Sequence, residues 1–375
     1  MNLDDLFNEA LQQYDNELPF AIYRKPGNDD LNLVKQKDKQ VYISSNFSES
    51  GFIFSPFDDE LNSVIFPLEK SVFLSATLEN IPFENEPNKI AKLSPVNSKP
   101  KKEHIELVKK GISSMHSNGL RKVVLSRKEE VKISNIDTSD SITELLKKLL
   151  ARYPSAFVYC WYHPKIGLWM GATPETLFSL ENKTFRTMAL AGTQKYQENH
   201  KTVWNEKEKE EQAIVTEYLE KSLEKIVPIL MISKPTTSVA GNLVHLRSDI
   251  CGTINTRLCD VLCLIKKLHP TPAVCGFPKE EAKHFIKENE KYDREFYAGF
   301  LGEINLPNTV LNRPQNSTKS NNKSCTDLYV NLRCMKIVDD IATIYVGGGI
   351  TKDSDPKAEW LETQYKAETM MQILS

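Results

Sequence analysis

The 375-residue chain has no apolar run long enough to cross a bilayer, no C-x-x-C pair among its seven cysteines and no basic excess. Each absence removes a class of protein. Acidic residues in the opening segment, "MNLDDLFNEALQQYDNEL", argue against a signal peptide or membrane span, and its leucines and Phe7 predict an amphipathic helix. An odd cysteine count without paired spacing excludes a disulfide framework and points to reduced thiols in a cytoplasmic protein. Cys259 and Cys263, one helical turn apart in "RLCDVLCLIKKL", are expected as buried core thiols, because no second Cys or His pair with zinc-site spacing accompanies them. With 48 Lys and Arg against 50 Asp and Glu, the net charge of -2 excludes a broad basic surface for nucleic acid. The nearest approach to one, "KPKKEH" at Lys99–His104, reads as a solvated helix start.

Glycine is also scarce, 15 in all, yet three stand together in "VGGGITKDSDPKAEWLETQYKAE", Val346 to Glu368. A phosphate loop needs G-x-x-x-x-G-K-[ST] and a dinucleotide fold needs G-x-G-x-x-G; neither spacing occurs anywhere in the chain. Asp355 followed by Pro356 reads as an N-cap with proline at the first helical position, opening a helix to about Ile373. Glu359, Glu362 and Lys366 then share one face, beside a loop whose glycines permit close backbone approach. A second pair with the same spacing, Glu208 and Glu211, lies in "WNEKEKEEQAIV" on a helix expected over about Lys201–Ile226. If the two helices face each other, the carboxylates suit a hard cation such as Mg²⁺. Taken alone, the first reads as a solvated Glu–Lys pair at i,i+4 and the "EKEKEEQ" run as a solvated charged face.

Up to about Pro100 the chain reads as a helix followed by short strands ("PFAIYR", "QVYISS", "GFIFSP"). Beyond it a helix ("KKEHIELVKKGISSMHSNG") and the strand "KVVLSRKEEVKI" lead to a helix ending near Tyr153. Strand-like segments then come thickly, "AFVYCWYHP", "GLWMGATP", "TLFSLEN" and "TFRTMALAGT", with connections too short for helical crossovers. After the charged helix come strands to Thr253, two helices flanking "LHPTPAVCGFP", and strands in "FLGEI", "DLYVNLRCMKI" and "DIATIYVG". The polar stretch Asn305–Thr326 reads as an exposed loop between strands. Mixed rather than alternating elements predict an α+β architecture with large antiparallel sheets.

From about Lys101 onward the chain resembles the chorismate-utilising enzymes, the isochorismate, salicylate, anthranilate and aminodeoxychorismate synthases. The matching stretches are "KVVLSR", "GATPETL", "RTMALAGT", "EKEKEEQAIV", "VHLRSDICGTI", "LHPTPAVCGFP", "YDREFYAGFLGEI", "LYVNLR" and the glycine-rich segment above. The resemblance implies one domain over residues 1–375, a β-sandwich flanked by helices, with the first hundred residues its less recognisable part. It implies chorismate as substrate and Mg²⁺ as cofactor, with Glu211 and Glu362 as metal ligands and Glu208 and Glu359 acting through water. Tyr297 and Arg333, with backbone near Gly348 and Gly349, fall on the pyruvyl carboxylate; a planar guanidinium suits that task. Lys366 falls beside the metal carboxylates, Gly192 and Thr193 near the substrate ring, and His245 in an assisting place. Lys122 matches the general base that activates water for attack at ring C2, and Glu175 the general acid that protonates the departing C4 hydroxyl. Such roles require a depressed lysine pKa and a raised glutamate pKa.

Within the family, Ala191 in "ALAGT" stands where aminodeoxychorismate synthases carry the lysine of "PIKGT", which argues against a covalent amine intermediate. The "HPTPAVCG" form, including Ala273, resembles isochorismate synthases. A salicylate synthase, which continues to pyruvate elimination, is the alternative; an aminating subunit or a non-catalytic chorismate-binding protein fits less well. Gln212 departs from the histidine common after the metal glutamate. The expected protein is a cytoplasmic monomer without an amidotransferase partner, feeding menaquinone, with siderophore or salicylate pathways left open.

Overall fold

The computed structural model describes residues 1–78, 98–117, 119–133, 139–198, 201–255, 257–310 and 324–374. The first elements are α1 (Leu3–Asp15), β1 (Phe20–Arg24), β2 (Asp30–Gln36), β3 (Tyr42–Ser44), β4 (Gly51–Ser55), β5 (Ser63–Pro67), β6 (Ser71–Thr77), α2 (Ser98–Ser117), β7 (Lys122–Lys132) and α3 (Ser139–Arg152). The middle holds β8 (Phe157–His163), β9 (Gly167–Thr173), β10 (Thr176–Glu181), β11 (Thr184–Lys195), α4 (Glu206–Leu223), β12 (Leu230–Ile232), β13 (Thr236–Ala240) and β14 (Leu243–Thr253). Last come α5 (Val261–Leu268), β15 (Gly276–Phe277), α6 (Lys279–Asn289), β16 (Phe300–Pro307), β17 (Ser324–Val330), β18 (Cys334–Val338), β19 (Ile341–Ile350) and α7 (Pro356–Leu374). No described helix is long and apolar enough to cross a membrane.

The strands form two antiparallel sheets. One runs β15-β7-β19-β18-β9-β8-β1-β2-β6; the other runs β12-β14-β11-β10-β17-β16-β4-β5-β3, with β13 also on β14. Strands from the first hundred residues therefore enter both sheets. The first sheet is covered on both faces, and side-chain alternation sorts its residues between two cores. Tyr23, Phe157, Tyr159, Trp161 and Trp169 point toward the second sheet. Phe20, Ile22, Val158, Cys160, Leu168 and Met170 point the other way, into a core shared with residues of α1, α3 and α7. This double burial explains the nearly continuous apolar run of "FVYCWYH". Trp161, fully buried, stacks on Phe66 of β5 with centroids 5.2 Å apart and meets Phe54 of β4 edge-on. Such aromatic contacts bind one sheet to the other, and truncating one ring to alanine would cost about 3–5 kcal/mol.

Four expectations change. The glycines Gly347–Gly349 lie in β19, not in a loop, paired with Ser126, Leu125 and Val124 of β7. "DLYVNLRCMKI" is two strands in different sheets: β17 pairs with β10 and β16, whereas β18 pairs with β9 and β19. Asn331 anchors the crossing, accepting from the Tyr159 hydroxyl (2.6 Å) and donating to the Phe296 carbonyl (2.9 Å), and Arg333 follows at φ +48°. Cys259 and Cys263 are joined by a disulfide rather than free, because Asp260 caps α5 through the Cys263 N–H and brings the two Cα atoms to 5.3 Å. The helix expected over Lys201–Ile226 is shorter, starting at Glu206 with Asn205 as N-cap and Glu208 completing a capping box. Of the expected loop at Asn305–Thr326, residues 311–323 lie outside the described residues.

His104 of α2 is buried beside Trp360, with neither ring nitrogen hydrogen-bonded. Burial, then the nearby Arg127, pushes its pKa down to about 4. The folded state thus holds it neutral while the unfolded chain protonates below about 6.5, so its contribution is present above that pH and lost as pH falls toward 4. His104→Phe should therefore raise stability about 2 kcal/mol more at pH 5 than at pH 8 in urea unfolding. An equal effect at both pH values would contradict this assignment.

Candidate active site

Between the sheets, near the end of β19, lies a cleft of about 630 Å³ counted to its open mouth. It is lined by Glu175, Gly192, Thr193, Glu211, His245, Tyr297, Arg333, Gly348, Gly349 and Lys366, together with Ala191, Ala273, Val274 and Tyr345. Strand and helix ends, far apart in the chain, supply these residues. β11 and β14 bring Thr193 opposite His245, and β7 and β19 bring Val124 opposite Gly349.

Glu175 sits in the turn between β9 and β10 and is buried. Burial raises its pKa to about 8, against the opposing pull of Lys122, Lys366 and Arg333. A carboxyl in that state carries a proton at neutral pH and can donate it. Lys122, the first residue of β7, is fully buried behind the cleft wall with its Nζ 3.2 Å from Glu211 Oε1, without a hydrogen bond of good geometry. His245 Nε2 lies 3.1 Å from an Arg333 NH2 group and its Nδ1 3.0 Å from the Gly192 carbonyl. Since guanidinium only donates and a carbonyl only accepts, the ring is neutral with its proton on Nδ1. Burial, then Arg333 and Lys366, holds its pKa down at about 3. His245 is therefore a brace for Arg333. Tyr297 stacks on Tyr345 with centroids 5.6 Å apart.

The four carboxylates come from one face each of α4 and α7. On α4 the buried stripe Glu208, Glu211, Val215, Leu219 and Leu223 begins with acids and continues into the core. On α7 Asp355 caps the helix, accepting from Lys357 and Ala358 N–H, which sets Glu359 and Glu362 against the glycines of β19. A side-chain carbon built on Gly349 would fall 2.0 Å from Glu211 Oε1, and one on Gly348 would fall 3.3 Å from Glu362 Oε1. Glycine is what lets the strand lie against these oxygens.

Glu211 lines the cleft, while Glu208, Glu359 and Glu362 line an adjoining cavity that shares Thr193 with it. Each carboxylate is engaged: Glu211 with Lys122, Glu362 with Lys366 (2.7 Å), Glu359 with Lys207 (2.7 Å) and Glu208 with the Asn205 N–H (3.0 Å). Glu359 Oε2 is buried without a partner. Burial, then Glu362, raises the Glu359 pKa to about 7. Among the described residues, the three-carboxylate convergence expected of a loaded metal site is not formed. The group with donor atoms within 4.8 Å is instead Glu303, Cys325 and Asp327, where Lys25 pairs with both acids. The orphaned Glu359 oxygen and the all-oxygen donor set nevertheless fit a hard divalent cation. Gln212 does not face the cleft; it donates to Ser248 and Thr216. Lys207 was hidden in "EKEKEEQ", where it reads as one more solvated charge.

Comparison with known proteins bears on the family and the fold. "Isochorismate synthase, chloroplastic" of Catharanthus roseus is 33% identical over 268 residues, 68% of this chain and 42% of that protein. "Isochorismate synthase EntC" of Escherichia coli is 28% identical over 67% of this chain and 62% of its own length. The chain therefore matches less than two thirds of the length of these relatives. The solved structure of MenF, the menaquinone-specific isochorismate synthase from Escherichia coli, has the same fold, with a TM-score of 0.73 at 20% identity over 95% of this chain and 89% of that one. The family model described as "Chorismate binding enzyme" matches residues 57–375, beginning well ahead of the first motif quoted above. Motif, fold and family model coincide, and the chain belongs to the chorismate binding enzymes.

Proposed function

We propose that the chain is an isochorismate synthase, converting chorismate to isochorismate. The observation that carries this reading is Glu175, a buried carboxyl on the cleft lining that holds a proton at neutral pH, with the fully buried Lys122 close enough to act on its charge. Lys122 takes a proton from water as the water oxygen bonds to ring C2. The ring double bond shifts, the C4–O bond breaks, and Glu175 gives its proton to the departing hydroxyl. One water enters and one leaves, so composition is unchanged. Arg333, braced by His245, and Tyr297 hold the pyruvyl carboxylate, while Gly192 and Thr193 face the ring. Glu211 and Glu362 would hold Mg²⁺, with Glu208 and Glu359 acting through water; bound there, the ion supplies a counter-charge to the ring carboxylate. Ala191 leaves no amine at the place a covalent adduct would need. The enzyme acts as a monomer without an amidotransferase partner, in the cytoplasm, and menaquinone synthesis is the pathway we assign.

The test is incubation of the purified protein with chorismate and Mg²⁺ without a nitrogen donor, with products identified by chromatography and NMR. Isochorismate without pyruvate is the expected outcome. Salicylate with stoichiometric pyruvate would make the protein a salicylate synthase. Turnover only after ammonia is added would sink water as the nucleophile.

A further inference from the structure

Lys207 has no part in the reaction proposed above, yet it lies among the acids of the site. It stands in the first turn of α4, its side chain 19% exposed, with Nζ 2.7 Å from Glu359 Oε1. Burial works against its charge, but Glu362, Glu211 and Glu359 outweigh that and hold its pKa above the usual lysine value. The neighbouring cavity, lined by Lys207, Glu208, Glu359 and Glu362, gives the ammonium open space beside its partner. Lys122 and Lys366 are held differently: one is fully buried, and the other also donates to the Gly347 carbonyl at 2.8 Å. Of the three lysines near these carboxylates, Lys207 is the one that lines the cavity beside Glu359 and Glu362, whereas Lys366 lines the neighbouring cleft.

We propose that Lys207 is an internal counter-ion of the carboxylate site, holding Glu359 and Glu362 in place until a divalent cation arrives and competing with that cation for them. The inference rests on the metal reading of Glu211 and Glu362. Two nearby carboxylates without a cation between them repel, and Glu362 is part of what raises the Glu359 pKa. A lysine tethered one residue from Glu208 supplies the missing charge at high local concentration. A divalent ion entering the same cavity meets a like charge, and the long, flexible lysine stem lets that charge swing toward solvent. Lys207 is thus a positioning residue that tunes how tightly the site takes its metal.

The test is titration of the whole protein with Mn²⁺ alone at pH 8, following free ion by electron paramagnetic resonance, for the unaltered chain, Lys207→Met, Lys207→Arg and Glu362→Gln. Removing a unit charge a few ångströms away should tighten binding about tenfold or more in Lys207→Met. Lys207→Arg should restore the original affinity. Without metal, Lys207→Met should melt earlier than the unaltered chain, and added Mn²⁺ should recover more of its melting temperature. Equal or weaker Mn²⁺ binding by Lys207→Met, with binding by the unaltered chain and its loss in Glu362→Gln, would overturn the counter-ion while leaving the metal site standing. No binding by the unaltered chain, or binding undiminished in Glu362→Gln, would overturn both.

Discussion

Glu175→Gln is expected to turn over chorismate about 10²- to 10⁴-fold more slowly than the unaltered chain at pH 7, the usual worth of a positioned general acid. Glutamine keeps the shape of the side chain but has no proton to give to the C4 oxygen. The pH profile separates this cause from a packing defect. Burial holds the Glu175 pKa at about 8, so the unaltered enzyme should lose rate as pH rises through that value, and the variant should lack that alkaline limb. The raised pKa also means that the folded state keeps a proton which the unfolded chain releases above about 4.5. Its contribution to stability therefore declines as pH rises from that value toward 8. Glutamine removes the penalty, so the variant should be at least as stable as the original at pH 9. A variant within tenfold of the original rate would remove Glu175 from the acid role.

Gly349→Ala should lower turnover about 100-fold with the fold retained. The added carbon would lie 2.0 Å from Glu211 Oε1, 2.7 Å from its carboxyl carbon and 3.0 Å from Lys122 Cε. No one side chain can yield alone, because Glu211 and Lys122 are paired and both are buried. The carboxylate must move by more than an ångström, and reactive groups do not tolerate such displacement. Circular dichroism should report unchanged secondary structure, because Gly349 pairs through its backbone with Val124 and keeps those bonds. Near-normal turnover would show that Glu211 has no fixed place in the reaction.

Legibility in the sequence followed the physics of each signal. Segments with a strong period or cap, such as "AFVYCWYHP" and the Asp355-Pro356 start of α7, were readable because local chemistry and tertiary burial agree there. β2 was not, since "DLNLVKQ" carries Asn32 and Gln36, buried polar residues that interrupt the apolar pattern of a strand. The break in "DLYVNLRCMKI" escaped notice because the cause is Asn331, bonded to Tyr159 and Phe296, and nothing local marks it. The cleft residues were reached through motif resemblance, not through periodicity. Glu208 and Glu211 begin a stripe that continues as Val215, Leu219 and Leu223, so an apolar stripe at helical spacing headed by acids was the available sign that those acids face inward. Lys207 gave no such sign, because its position off that stripe is indistinguishable from a solvated one.

The order of strands in the first sheet governs when the protein can become itself. β7 and β15 reach the remaining strands of that sheet only through β19 and β18, which are made after every other strand in the molecule. During synthesis β7 must wait, its inner face unmatched, while roughly two hundred further residues emerge at about 5–20 per second. For ten seconds or more the nascent chain carries an incomplete sheet edge of the kind that recruits chaperones or neighbouring chains. Completion and competence then arrive together: the strand that closes this sheet is also the one that sets Gly348 and Gly349 beside Glu362 and Glu211.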